Sequence, residues 1–170
     1  MNHENMTKSK KLLLVGLGIS FAVIQCFGPT RTNPPVVESH AIQSRLQIPP
    51  RIVDTLNHAC MDCHSYETRW PWYSRVAPVS WWLINNVNDG RDTLNFSEWT
   101  QYKPSFAIAT LGSMATVVKR GAMPLASYKT FHPQARLSDE ERKAFCDWAL
   151  TEKQNEFENI ILEKPKPKSP

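Results

Sequence analysis

Several features that would direct the reading elsewhere are scarce in this chain. No charge of one sign dominates: 20 Lys and Arg stand against 16 Asp and Glu, a net charge of +4 over 170 residues. Part of that excess sits at the ends, in Lys8, Lys10 and Lys11 and in Lys164, Lys166 and Lys168. The middle is close to neutral and lacks the basic stripe that a phosphate backbone requires, which excludes nucleic acid as the expected partner. Cysteine is limited to four residues. Cys26 lies in an apolar run, Cys60 and Cys63 are near neighbours, and Cys146 stands far along the chain, so a framework of disulfides is not indicated. A second Cys-x-x-Cys is missing, and the one His-x₅-His spacing, His58 to His64, overlaps the cysteine pair itself rather than adding a separate pair of zinc ligands. There is no internal repeat, and strand signals are weak.

Long hydrophobic runs are limited to one. Residues 12–28 carry no charge and follow the basic head. As a helix they would rise roughly 25 Å, slightly short of a ~30 Å hydrocarbon core but within the tolerated range. The expectation is an N-terminal signal or membrane anchor over 1–28, with the head in the cytoplasm and the rest exported. A cleaved secretory signal is the alternative, although Ile24, Gln25 and Cys26 offer no small-x-small cleavage site. A lipid on Cys26 is disfavoured by Gln25, and a helix buried in the fold by the position behind lysines. Pro29, Pro34, Pro35, Pro49 and Pro50 then suggest an extended spacer over 29–49. The folded domain is expected at 50–154, and a flexible Lys/Pro tail at 155–170.

What the domain does contain is helical periodicity, with 41% hydrophobic residues to build a core. Pro50 suits a helix start, and Ile52, Val53, Leu56 and Ala59 share one face of a helix that leads into Cys60. Further helices are expected at 79–87 and 104–119, the latter with Phe106, Leu111, Met114 and Val118 on its apolar side. Ser138 to Glu141 spell a capping box that opens a last helix through Phe145, Trp148 and Ala149. The fold class is all-α.

Chemistry concentrates at Cys60-Met61-Asp62-Cys63-His64. Two thiols three residues apart on one turn can each reach a vinyl group on one porphyrin edge, and the histidine that follows is held beneath the iron. Composition alone makes such a match a coincidence of roughly 3 in 1000. The other readings are half a zinc site, with Cys146 and a lone His as the best remainder, and a dithiol redox pair, which belongs at a strand-to-helix junction rather than behind a helix. For the opposite face of a haem, Met123 in Gly121-Ala122-Met123-Pro124 is the candidate sixth ligand, held on a loop that glycine turns and proline stiffens. A methionine there raises the potential and closes the site. The rivals are His132 and Met114, the latter placed on the core face of its helix. His58 reads as a surface residue of the first domain helix, and His3 and His40 fall in the head and spacer. Arg69, Trp70, Trp72, Tyr73 and Arg75 follow the motif, with Trp81 and Trp82 close behind. Their rings and guanidinium groups suit a flat macrocycle and its propionates; the alternative is an aromatic mini-core with solvated arginines.

The stretches C-M-D-C-H-S (60–65), T-R-W-P-W-Y-S (68–74), P-V-S-W-W-L (78–83), L-N-F-S-E-W (94–99), G-A-M-P-L (121–125) and 137–148 together resemble the bacterial haem-binding domain family, a small branch of the c-type cytochromes. The resemblance implies a small cytochrome c-like helical domain, export across the inner membrane to the periplasm, covalent haem c ligated by His64, and Met123 on the other side. The leading functional expectation is an electron carrier serving unidentified redox partner proteins, with Cys60 and Cys63 anchoring the haem. A haem enzyme or gas sensor with an openable distal site is the alternative. It would need a distal His or Arg, and Arg120 and His132 are near only in sequence.

Overall fold

The computed structural model describes residues 3–163, and among these there are seven α-helices and no strand. The chain divides into two compact units, one of Met1–Thr32 with Arg69–Asp89 and one of Asn33–Thr68 with Gly90–Pro170.

The first unit contains α1 (His3–Ile24), a 3-10 turn at Trp72–Arg75, and most of α4 (Val79–Thr93). Its apolar residues between Leu12 and Val23 are more than half exposed. The helix stops at Ile24 rather than reaching Gly28. Its uncharged part, residues 12–24, therefore rises only about 20 Å. Among the described residues no helix is long and apolar enough to cross a membrane, which corrects the expected transmembrane helix. What ends the helix is visible in its partners. The Gln25 side chain accepts from the Ala77 N–H at 2.9 Å, and the Trp81 indole N–H donates to the Phe27 carbonyl at 2.7 Å. These bonds hold residues 25–28 in an irregular path against the start of α4.

The second unit carries α2 (Pro50–Ala59), α3 (Met61–His64), the end of α4, a 3-10 stretch at Phe96–Gln101, α5 (Pro104–Lys119), α6 (Ala126–Phe131) and α7 (Asp139–Glu163). The paired helices α5 and α7 supply Leu111, Met114, Ala115, Val118, Phe145 and Ala149 to the core, against which Leu56, Phe96 and Trp99 pack. The expected helix at 104–119 is found at Pro104–Lys119, with Pro104 in its first turn and Lys119 in its last. Phe106, expected on its apolar side, is instead exposed, its ring against Tyr102 at 4.8 Å.

Two boundaries differ from expectation. The stretch expected as a spacer places Ile42 and Leu46 in the core, both almost wholly buried, Ile42 on a 3-10 turn and Leu46 just after it, which proline-based reading overlooks. The tail expected from 155 is helical to Glu163, and Glu156 is buried in a bidentate pair with Arg45, at 3.2 and 3.0 Å. The expected tail residues 164–170 lie outside the described residues.

The capping box at the start of α7 is formed. Glu141 accepts from the Ser138 backbone N–H at 2.8 Å, while the Glu141 N–H donates to the Ser138 hydroxyl at 3.2 Å. The Ser138 backbone N–H first, and the Ser138 hydroxyl, which donates at 2.9 Å, hold the Glu141 carboxyl below the usual carboxylate range. Because the folded state has the lower pKa, the stabilisation is complete above the unfolded value and disappears as pH falls through the folded one. Replacing Ser138 with Ala should cost about 1 kcal/mol at neutral pH. The difference in Tm from the native chain should shrink below about pH 4, the intrinsic range of a glutamate. A pH-independent difference would remove the capping box as its cause.

Candidate functional site

The site starts from the way α2 ends. Cys60 leaves the helical path (φ −127°), and a new turn, α3, begins at Met61. The Cys63 and His64 N–H groups both donate to the Cys60 carbonyl, at 3.2 and 3.0 Å. Both thiols therefore project from a single turn, three residues apart, and the imidazole comes immediately after.

His64 is fixed through one nitrogen. Its Nδ1 lies 2.9 Å from the Gly90 carbonyl and 3.0 Å from the Leu94 carbonyl, at the C-terminal end of α4. Two carbonyl oxygens can only accept, so Nδ1 carries the proton and donates to them. Nε2 is then the unprotonated nitrogen of the neutral ring, with its lone pair directed away from the helix end. The carbonyls are at the negative end of a helix dipole, which enriches the ring and strengthens Nε2 as a donor to a metal. Desolvation holds the His64 pKa below its ordinary value, while the two carbonyls push it the other way. Phe96 meets the imidazole edge-on, ring centroids 6.1 Å apart.

Close approach makes this possible. A Cβ on Gly90 would come within 2.6 Å of the Cys63 carbonyl oxygen, so only glycine lets the end of α4 lie against the motif. Arg91 then reaches across the same region. Its Nε donates to the Ser65 carbonyl at 2.8 Å, and its Nη2 to the Thr68 hydroxyl at 2.8 Å and the Asn33 side chain at 3.0 Å. Its guanidinium also sits over the Tyr66 ring.

Burial pushes the Cys60 thiol up to about 12, with Cys63 adding to it, and the Cys63 thiol up to about 11, with Asp62 adding and Arg91 opposing. Both are neutral, free thiols at physiological pH. A dithiol redox site needs a lowered thiolate pKa, and these are raised. Among the described residues no group of three or more His, Cys, Asp or Glu side chains could hold a metal ion, which goes against the zinc reading. Two unpaired thiols, which could bond to a porphyrin edge, and one imidazole nitrogen with a free lone pair, which could ligate its iron, fit a haem in their chemistry.

The other expected residues are distributed as follows. Met123 is in the same unit and packs, half-buried, on the core cluster that Cys60 also touches. Gly121 adopts φ 70°, and the Gly121 and Ala122 N–H groups donate to the Val118 and Val117 carbonyls, a Schellman closure of α5 that places Met123 directly behind it. Met114 is buried in the core, as its helix face implied. The His132 ring is stacked on Tyr128 at 4.2 Å, and His58 lies 3.8 Å from Glu141. Arg69, Trp70, Trp72, Tyr73 and Arg75 belong to the other compact unit, where Trp72 is exposed and meets Tyr73 edge-on.

Sequence reading missed Gly90, Leu94, Arg91 and Tyr128. The available signal was Gly90 itself, since a glycine inside a helical stretch points to a close neighbour. Replacing Gly90 with Ala tests the contact. Helix propensity alone would stabilise α4 by about 1 kcal/mol. The clash should outweigh this and leave a net loss of roughly 1–3 kcal/mol in urea unfolding. A net gain would show that the approach is not tight.

No curated protein matches the chain significantly, and no solved structure does. The family described as haem-binding domain matches residues 19–151, a span that contains the turn bearing Cys60, Cys63 and His64, the α4 end that holds His64, and Met123. Over most of its length, then, the chain belongs to the haem-binding domain family.

Proposed function

We propose that this haem-binding protein is an exported monohaem c-type cytochrome that passes electrons between redox partner proteins. The observation that carries the reading is the His64 ring, pinned through Nδ1 to two carbonyls with Nε2 left as donor, on the same turn as two neutral thiols. In this reading Cys60 and Cys63 would hold the haem by thioethers, and His64 and Met123 would ligate its iron. The group would supply one-electron chemistry between ferrous and ferric iron. The chain's own part is to hold and orient. α2 and α3 set the thiols, the α4 carbonyls fix the imidazole, and the loop behind α5 presents a thioether. Were His64 and Met123 both to ligate the iron, the chain would leave no open place on it for a substrate, which suits a carrier better than an enzyme.

Export is supported by Lys8, Lys10 and Lys11 ahead of the apolar residues 12–24. The haem unit then faces the periplasm at the inner membrane, and the exposed apolar side chains of α1 favour association with that membrane.

Chain expressed with haem-attachment machinery should be coloured, give a c-type pyridine haemochrome, and gain the mass of one haem on the peptide carrying Cys60 and Cys63. Colourless protein of unmodified mass would end the proposal. Replacing His64 with Ala should reduce holoprotein at least about ten-fold, given that even outer contacts of metal ligands are worth that much. Replacing Met123 with Ala should keep the covalent haem, lower the potential and admit cyanide. High-spin iron that binds cyanide or CO in the native chain would favour a haem enzyme or sensor instead.

A further inference from the structure

Asp62 lies inside the Cys60–His64 motif, yet the residue is only 6% exposed. It accepts a hydrogen bond from the Tyr128 hydroxyl at 2.6 Å, the short range of a charge-assisted bond. Tyr128 is on α6, which opens directly after Gly121-Ala122-Met123-Pro124-Leu125. At its other end that loop is fixed to α5, where the Ala122 and Met123 N–H groups reach the Val117 carbonyl at 3.0 and 3.3 Å. The loop is therefore tied on both sides: upstream to its own helix, and downstream, through Tyr128 and Asp62, to the turn bearing Cys60, Cys63 and His64.

We propose that Tyr128 is a positioning residue, whose hydrogen bond to Asp62 keeps the Met123 loop closed against the attachment turn and so keeps external ligands off the methionine side. This rests on the reading of Met123 as sixth ligand. The bond joins two buried or half-buried groups, so losing it leaves a carboxylate without that donor and the loop with one tie. The stacking of His132 on the Tyr128 ring leaves a clean substitution, because phenylalanine keeps the ring.

The test uses full-length haem-loaded chain. Tyr128→Phe should retain the covalent haem and native mass, weaken the methionine-to-iron charge-transfer band, lower the potential, and raise the rate of cyanide binding to ferric iron by about ten-fold or more, the scale of one lost charge-assisted bond. A Tm that falls while cyanide binding, potential and band stay native marks a merely structural contact and overturns the proposal. Asp62→Asn keeps an acceptor for the Tyr128 hydroxyl without the charge and should give a smaller change in the same direction. If Tyr128→Phe does not accumulate, Asp62→Asn decides, and native cyanide binding in it overturns the proposal. Met123→Ala separates the two claims. If it leaves the band and cyanide binding native, the ligand assignment fails; if it opens the site while Tyr128→Phe does not, only the positioning role fails.

Discussion

The site depends on a single imidazole proton. With Nδ1–H given to the carbonyls of Gly90 and Leu94, the ring has one tautomer, one orientation and one remaining lone pair. Everything around it serves that contact. The last carbonyls of a helix have no partner within the helix, and here the ring of another segment satisfies one of them. The arrangement needs the end of α4 to touch the backbone of Cys63, which is why a residue without a side chain stands at position 90. Arg91, one residue on, then secures the chain leaving the motif by bonding to Ser65 and Thr68. A helix terminus, a missing side chain and one guanidinium thus act together on five residues of chemistry.

The same contact separates the possible chemistries of a paired-cysteine motif. Dithiol exchange needs a stabilised thiolate, and burial here disfavours it at both positions, while zinc needs further ligands that no group among the described residues supplies. Neutral thiols beside a histidine with one directed nitrogen fit instead a group that is joined to the sulfurs and ligated by the ring. The family match over residues 19–151 agrees with this at the level of haem binding.

Much of this was legible in the amino-acid order because local rules governed it. Pro50, Pro104 and the Ser138–Glu141 box mark helix starts through backbone geometry and caps, and all three are helix starts. The attachment motif is likewise a local pattern. What escaped is long-range. The expected helix ended at Val87, yet α4 continues through residues 88–93 (Asn-Asp-Gly-Arg-Asp-Thr), whose contacts with Cys63, His64 and Ser65 lie outside any local window. Tyr128 lies 66 positions from Asp62, and nothing nearby announces their bond. Proline counting misplaced the start of the second unit, because Ile42 and Leu46 are buried by residues far along the chain. The apolar N-terminal run was shortened by Gln25 and Phe27, whose partners Ala77 and Trp81 no local window contains.

The Arg45–Glu156 pair has a practical side. The two residues are 111 positions apart and lie on either side of nearly everything that identifies the chain as haem-binding. A fragment trimmed to the recognisable region, from Pro50 to Gln154, would discard both partners, remove two aliphatic side chains from the interior, and cut the longest helix of that unit part-way. Cutting at the edges of the signature thus takes away packing that the signature's own helices rest on, together with the ion pair that joins the segments on either side of it.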